Sequence, residues 1–200
     1  MGDRRVKKSG SFLLVYRGLK AFRRLDPATT ISSKQNADSE AADGILTRPI
    51  DRSIMRGFDT KKSLQQLERF DYGKPEREDT YLVKTCIKLA RTPLDKFTIG
   101  DLHLMIGQRF GLEFLIPLAI ERLQPDALIE ARFYPGDLLV NVLQVESQFW
   151  HEHPEWRLEV ARLAKQAITS FASRPDVARK TTTRTLSRVY HDFQNQKDEA

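Results

Sequence analysis

The segment TIGDLHLMIGQRFGLEFLIPLAIERL, Thr98 to Leu123, decides how this chain folds. It is the longest strongly apolar run in a sequence otherwise rich in charge. Thr98 is placed to cap a helix, with Asp101 at the third helical position as an acidic variant of the capping box. Phe97 and Leu102 occupy the two positions of a hydrophobic staple. Leu102, Met105 and Ile106 then form a buried stripe, and Gly107 to Gly111 make a tight joint. Beyond it Leu112, Leu115, Ile116, Ala119 and Leu123 line one side of a second helix and Phe114 and Leu118 another. That helix is apolar most of the way round, so it belongs in the middle of the fold. Pro117 lacks an N–H and clashes with the carbonyl of Glu113, which predicts a kink there in preference to a fresh helix start.

Working outward, order is expected to begin near Lys62. Ser63 can cap a short helix carrying Leu64 and Leu67. A helix from about Glu78 to Arg91 places Tyr81, Leu82, Thr85, Cys86 and Leu89 in one stripe, making Cys86 a small buried hydrophobe rather than a nucleophile. On the other side, Gln124 to Glu130 reads as a polar connection. In Phe133-Tyr134-Pro135-Gly136-Asp137, Pro135 and Gly136 suit the centre of a type II turn and Asp137 can cap the next helix. That helix carries Leu138, Val142, Val145 and Phe149. Pro154 opens another, with Trp156, Val160, Leu163, Ala167 and Phe171 on its apolar face, ended by Arg174-Pro175. No strand alternation competes, so the expected fold is all-α, a small irregular bundle of about five to six helices between residues 62 and 172.

The flanks differ. Residues 1–61 read as a basic, largely disordered extension: Ser11 to Leu25 is at most a marginal amphipathic helix, and Pro27 to Gly44 has no apolar period. Residues 173–200 read as a basic tail, partly helical or disordered. Of the net charge of +6, residues 1–60 contribute +5, residues 61–152 −2 and residues 153–200 +3. A single cysteine excludes an intramolecular disulfide and suits a reducing compartment. The short apolar run Ser11–Tyr16 is too brief for a secretory signal and no stretch is long enough to cross a membrane, so a cytoplasmic location is expected.

No nucleotide-binding, metalloprotease or CxxC motif is present. His151 and His153 lack third and fourth ligands, and His103 falls on the polar side of its helix, where solvation is expected. No catalytic residue, cofactor or metal is therefore nominated. Carboxylates recur in and beside the central hairpin: Asp101, Glu113, Glu121, Asp126, Glu130 and Asp137. Some cap helices; the others can form an acidic surface for a basic partner, with Tyr134 and Tyr72 as aromatic anchors.

The segments SLQQLE (63–68), YLVKTCIKL (81–89), PLDKFTIGDLHLMIGQRFGLEFLIPLAIERL (93–123), FYPGDLLVNVL (133–143) and FWHEHPE (149–155) resemble the immunity proteins of bacterial contact-dependent growth inhibition (CDI) systems. The blocks occur in the family's order over roughly residues 62–170. Phe70 or Tyr72 stands where family members often have a tryptophan. The resemblance implies a small non-catalytic protein that binds and neutralises the C-terminal toxin domain of a cognate CdiA-type toxin. Glu113, Glu130, Tyr134 and Asp137 are the residues expected near the partner-binding surface. The alternative is a nucleic-acid-binding module with Arg23, Arg24, Arg179, Lys180 and Arg184 on phosphates. Such binding would weaken steeply with salt, whereas toxin binding is expected to survive trimming to residues 62–172.

Overall fold

A computed structural model of the protein describes residues 57–171 and 180–196. The stretch Ser11 to Leu25, the linker Pro27 to Gly44 and the helix stop at Arg174-Pro175 lie outside these residues. The described chain is all-α, as expected. Its helices are α1 (Leu64–Leu67), α2 (Tyr81–Ala90), α3 (Ile99–Gly107), α4 (Leu112–Leu123), α5 (Asp137–Leu143), α6 (Ser147–Glu152), α7 (Pro154–Ser170) and α8 (Lys180–Gln194), with a 3-10 turn at Leu94–Lys96. The β pairing described is two isolated bridges, Ser63 with Pro93 and Glu130 with Pro135.

Local chemistry sets the helix starts. Ser63 and Gln66 form a reciprocal capping box on α1, and Thr98 and Asp101 form one on α3. Thr98 N–H donates to Asp101 Oδ2 at 2.9 Å, and Asp101 N–H donates to Thr98 Oγ1 at 3.2 Å. Both staple residues, Phe97 and Leu102, are buried. Helix α2 starts later than the expected Glu78, at Tyr81, behind an N-cap at Thr80. Glu78 instead lies in a turn closed by Asp79 N–H to the Glu76 carbonyl and Glu76 N–H to Asp79 Oδ2. As the first helical residue, Tyr81 is 84% exposed and leaves the buried stripe assigned to it. Cys86 stays inside, and burial pushes its thiol up to about 11. A thiol so far from thiolate at neutral pH is a packing group.

Helices α3 and α4 form the central antiparallel hairpin. The joint is left-handed at Arg109 (φ 62°) and Gly111 (φ 52°). Gly107 serves differently: a Cβ there would lie 2.9 Å from Asn141 Nδ2, which donates to the His103 carbonyl at 2.9 Å. The missing side chain thus lets α5 lock onto α3. Pro117 lies inside one continuous helix, so the fresh-start alternative is excluded, and its ring is buried with Leu115, Ile116, Leu118, Ala119, Ile120 and Leu123.

Helices α5 and α7 pack against this hairpin, and α8 packs on α5 and α7. Glu159 on α7 is buried; its carboxylate takes two bonds from Arg162, at 2.6 and 2.8 Å, and one from Gln124 at 3.2 Å. Arg162→Ala strands that charge under the fold. Because Arg162 itself is partly exposed, water reaches the vacated site, and a loss of about 2 kcal/mol is expected in urea unfolding. Replacing Glu159 and Arg162 together with leucine is expected to cost less than Arg162→Ala alone. Past residue 172 the structure describes a 15-residue helix, α8, which carries Leu186, Val189 and Phe193 into the same core. Phe193 packs edge-on to Trp150 at 5.5 Å, and Arg157 Nη2 donates to the carbonyls of Phe193 and Gln196.

Candidate functional site

The chain between α4 and α5 folds back over the start of α3 and is held by one side chain. Tyr134 to Asp137 is the expected type II turn: Gly136 has φ 84° and ψ 6°, and Asp137 N–H donates to the Tyr134 carbonyl at 3.1 Å. Gly136 N–H donates to the Ile129 carbonyl at 3.2 Å, closing the loop's base. Asp137 does not cap α5, contrary to its expected role. Gly136 takes that position, and Asp137 is the first helical residue. Its carboxylate turns back into the loop and accepts three consecutive backbone N–H groups: Ala131 at 2.8 Å on Oδ1, Arg132 at 2.9 Å and Phe133 at 2.8 Å on Oδ2. The side chain is 1% exposed. A charged acceptor answers three donors that the loop has no other way to satisfy, and its negative charge sits at a helix N-terminus. Asp137, expected near the partner-binding surface, is thus itself buried and holds the loop from beneath.

Below this clamp lies His103 on α3, expected to be solvated but only 12% exposed. The loop covers it: a Cβ on Gly100, one turn earlier, would stand 3.4 Å from the Ala131 carbonyl oxygen. His103 Nε2 is 3.7 Å from Asp137 Oδ2, too long for a hydrogen bond, and Nδ1 is buried without a partner. Burial lowers the imidazole's pKa, Asp137 opposes this, and Arg132 adds to the lowering. The ring is thus neutral at pH 7, and its approach to Asp137 is not an ion pair. With the folded pKa below the unfolded value of about 6.5, the unfolded chain binds the proton more readily. The resulting stability is present above about pH 6.5 and is lost as pH falls through the folded pKa. Denaturant melts at successive pH values should show this decline, and His103→Gln should flatten it.

Above the clamp stands Phe133, 70% exposed. The ring lies edge-to-face on His103 at 5.5 Å, and the Arg132 guanidinium is 5.7 Å from its centroid. Glu130 and Arg132 are exposed on either side, and neither makes an ion pair among the described residues. Tyr134 is half-buried; burial first, then the Asp137 charge, raises its pKa. The structure thus gathers Glu130, Tyr134 and Asp137 into one loop and adds Phe133 and Arg132, which sequence reasoning missed. The available signal was a phenylalanine placed beside the YPGD turn, outside any apolar period.

Glu113 is exposed at the other end of the hairpin, roughly 15 Å along α4 from its C-terminus. Its charge helps raise the pKa of Glu68, whose burial is the larger cause and whose carboxylate accepts from the Tyr72 hydroxyl. Tyr72 also packs against Phe110 at 5.8 Å. The four expected surface residues therefore fall on two ends of the bundle.

Elsewhere, His153 is stacked on Trp156 at 4.0 Å and 11°. Among the described residues no group of three or more His, Cys, Asp or Glu could hold a metal, and no helix is long and apolar enough to cross a membrane. A cleft of about 460 Å³ opens at the joint end between Arg109, Gln144, Asp192 and Phe193. Of the basic residues nominated for phosphate, Arg184 is exposed on α8, while Arg23, Arg24, Arg179 and the Lys180 side chain lie outside what is described.

The described residues thus form a helical body with a loop held by Asp137 and tipped by Phe133. The family comparison agrees with the class named from the sequence blocks. Residues 66–160 match the family model of CDI immunity proteins. No curated protein and no solved structure matches the chain. A match to an immunity family implies a protein partner, a toxin.

Proposed function

We propose that this protein binds the C-terminal toxin domain of a cognate CdiA-type toxin and neutralises it without catalysing a reaction. The observation that carries this reading is the family match over residues 66–160, a segment that contains the whole clamped loop. Neutralisation needs only a tight complex that covers or distorts the toxin's working surface; nanomolar affinity corresponds to about −12 kcal/mol. Glu130 and Tyr134 contribute from the loop, Asp137 holds that loop in shape, and Glu113 supplies a second acidic position at the far end of α4. Binding takes place in the cytoplasm of the protected cell.

The test is co-expression with the toxin domain of the cognate CdiA-type toxin. The expected result is restored growth and a complex that co-purifies. Equal killing with and without this protein overturns the proposal.

A further inference from the structure

Among the described residues three large apolar side chains are strongly exposed: Tyr81 at 84%, Phe133 at 70% and Leu158 at 67%. Tyr81 and Leu158 sit on regular helices, where single exposed hydrophobics are ordinary. Phe133 is different. Its backbone is fixed by a buried carboxylate taking three consecutive amides, by a type II turn and by the Glu130–Pro135 bridge. All of that order serves a short loop whose largest side chain stays 70% exposed, resting on the protein through its contact with His103. A loop free of external duty could have folded this ring inward or carried a polar residue.

Resting on the toxin-binding reading above, we propose that Phe133 is the anchor of the complex, a preformed knob that enters a ring-sized apolar socket on the toxin domain. Arg132, beside the ring and without an ion pair among the described residues, meets a carboxylate at the socket's rim. An aromatic set at the centre of a contact with Arg beside it is the composition that dominates binding energy in interfaces. Because the loop is already rigid, docking orders little of this chain. A second copy of the chain fits less well. The described cleft lies at the opposite end of the α3–α4 hairpin, so a knob-into-cleft contact would run head to tail without closing on itself.

The experiment is calorimetric titration of the full chain against a catalytically inactivated toxin domain. Phe133→Ala is expected to raise Kd at least about 100-fold, chiefly through faster dissociation, with only a small drop in the thermal melt because the ring is mostly exposed and loses one edge contact with His103. Arg132→Ala is expected to raise Kd about 10-fold and to reduce its salt dependence. Tyr81→Ala, a still more exposed aromatic outside the loop, should leave Kd unchanged. If the unaltered chain binds and Phe133→Ala binds equally well, the anchor assignment fails while the toxin-binding reading stands. If the unaltered chain does not bind, both fail. Self-association in the ultracentrifuge that disappears in Phe133→Ala places the socket on a second copy and also overturns the proposal.

Discussion

Asp137→Ala is expected to lower the unfolding free energy by about 4 kcal/mol, the largest loss anticipated for a single polar side chain in this fold. Three charge-assisted bonds disappear together, and the amides of Ala131, Arg132 and Phe133 have no substitute acceptor until the loop opens to water. Opening recovers part of the cost, which is why the figure is less than three full bonds. The change should be visible as fast hydrogen exchange at those three amides while the α4 amides remain protected. Asp137→Asn keeps one acceptor oxygen but turns an NH2 group toward at least one donor, so it should fall between alanine and the unaltered protein. Slow exchange at residues 131–133 in Asp137→Ala would mean the loop is held by something other than this carboxylate.

Gly111→Ala carries the second large effect, about 3–4 kcal/mol, from two additive causes. With φ at 52°, a Cβ meets its own backbone in the left-handed region. It would also stand 2.5 and 2.9 Å from the two Leu64 methyl carbons, and Leu64 is fully buried. The α1 leucine has nowhere to retreat, so the joint between α3 and α4 must shift. Gly136→Ala is the informative comparison. It has the same handedness (φ 84°), but the nearest atom is Leu128 Cδ2 at 3.3 Å, and a loss of only about 1–2 kcal/mol is expected. Equal melting temperatures for the two variants would show that crowding at Leu64 is not felt.

What could be read from the sequence was local. The Ser63/Gln66 and Thr98/Asp101 boxes and the Pro135-Gly136 turn involve residues within four positions of one another, so spacing alone specifies them. The apolar period of α4 placed it centrally for the same reason. Long-range events were not legible. His103 sits on a polar face by periodicity and is covered only because a loop some 30 residues later lies over Gly100 and His103. Glu159 is buried because Gln124 and Arg162 meet it there, which no helical wheel shows. Asp137 has a capping residue's identity and is captured instead by the amides behind it. For the candidate site, Glu130, Tyr134 and Asp137 came together because they share one short segment, whereas Glu113 is separated from them by the length of α4. Helix α8 was half legible: the segment reads as a tail, partly helical or disordered, and Leu186, Val189, Tyr190 and Phe193 keep helical spacing, but the threonines and arginines between them hid its place in the core.

That last helix bears on where the polypeptide can be cut. The family match stops at residue 160, yet Phe193 forms a wall against the indole of Trp150, whose Nε1 donates to the Val145 carbonyl. A fragment ending at residue 172 would keep every block of the family resemblance and still leave this indole facing solvent. Its tryptophan emission should shift to the red, and it should become a client for chaperones and proteases. Loss of protection by such a shortened protein would then report a poorly folded product, with no bearing on whether α8 touches the toxin.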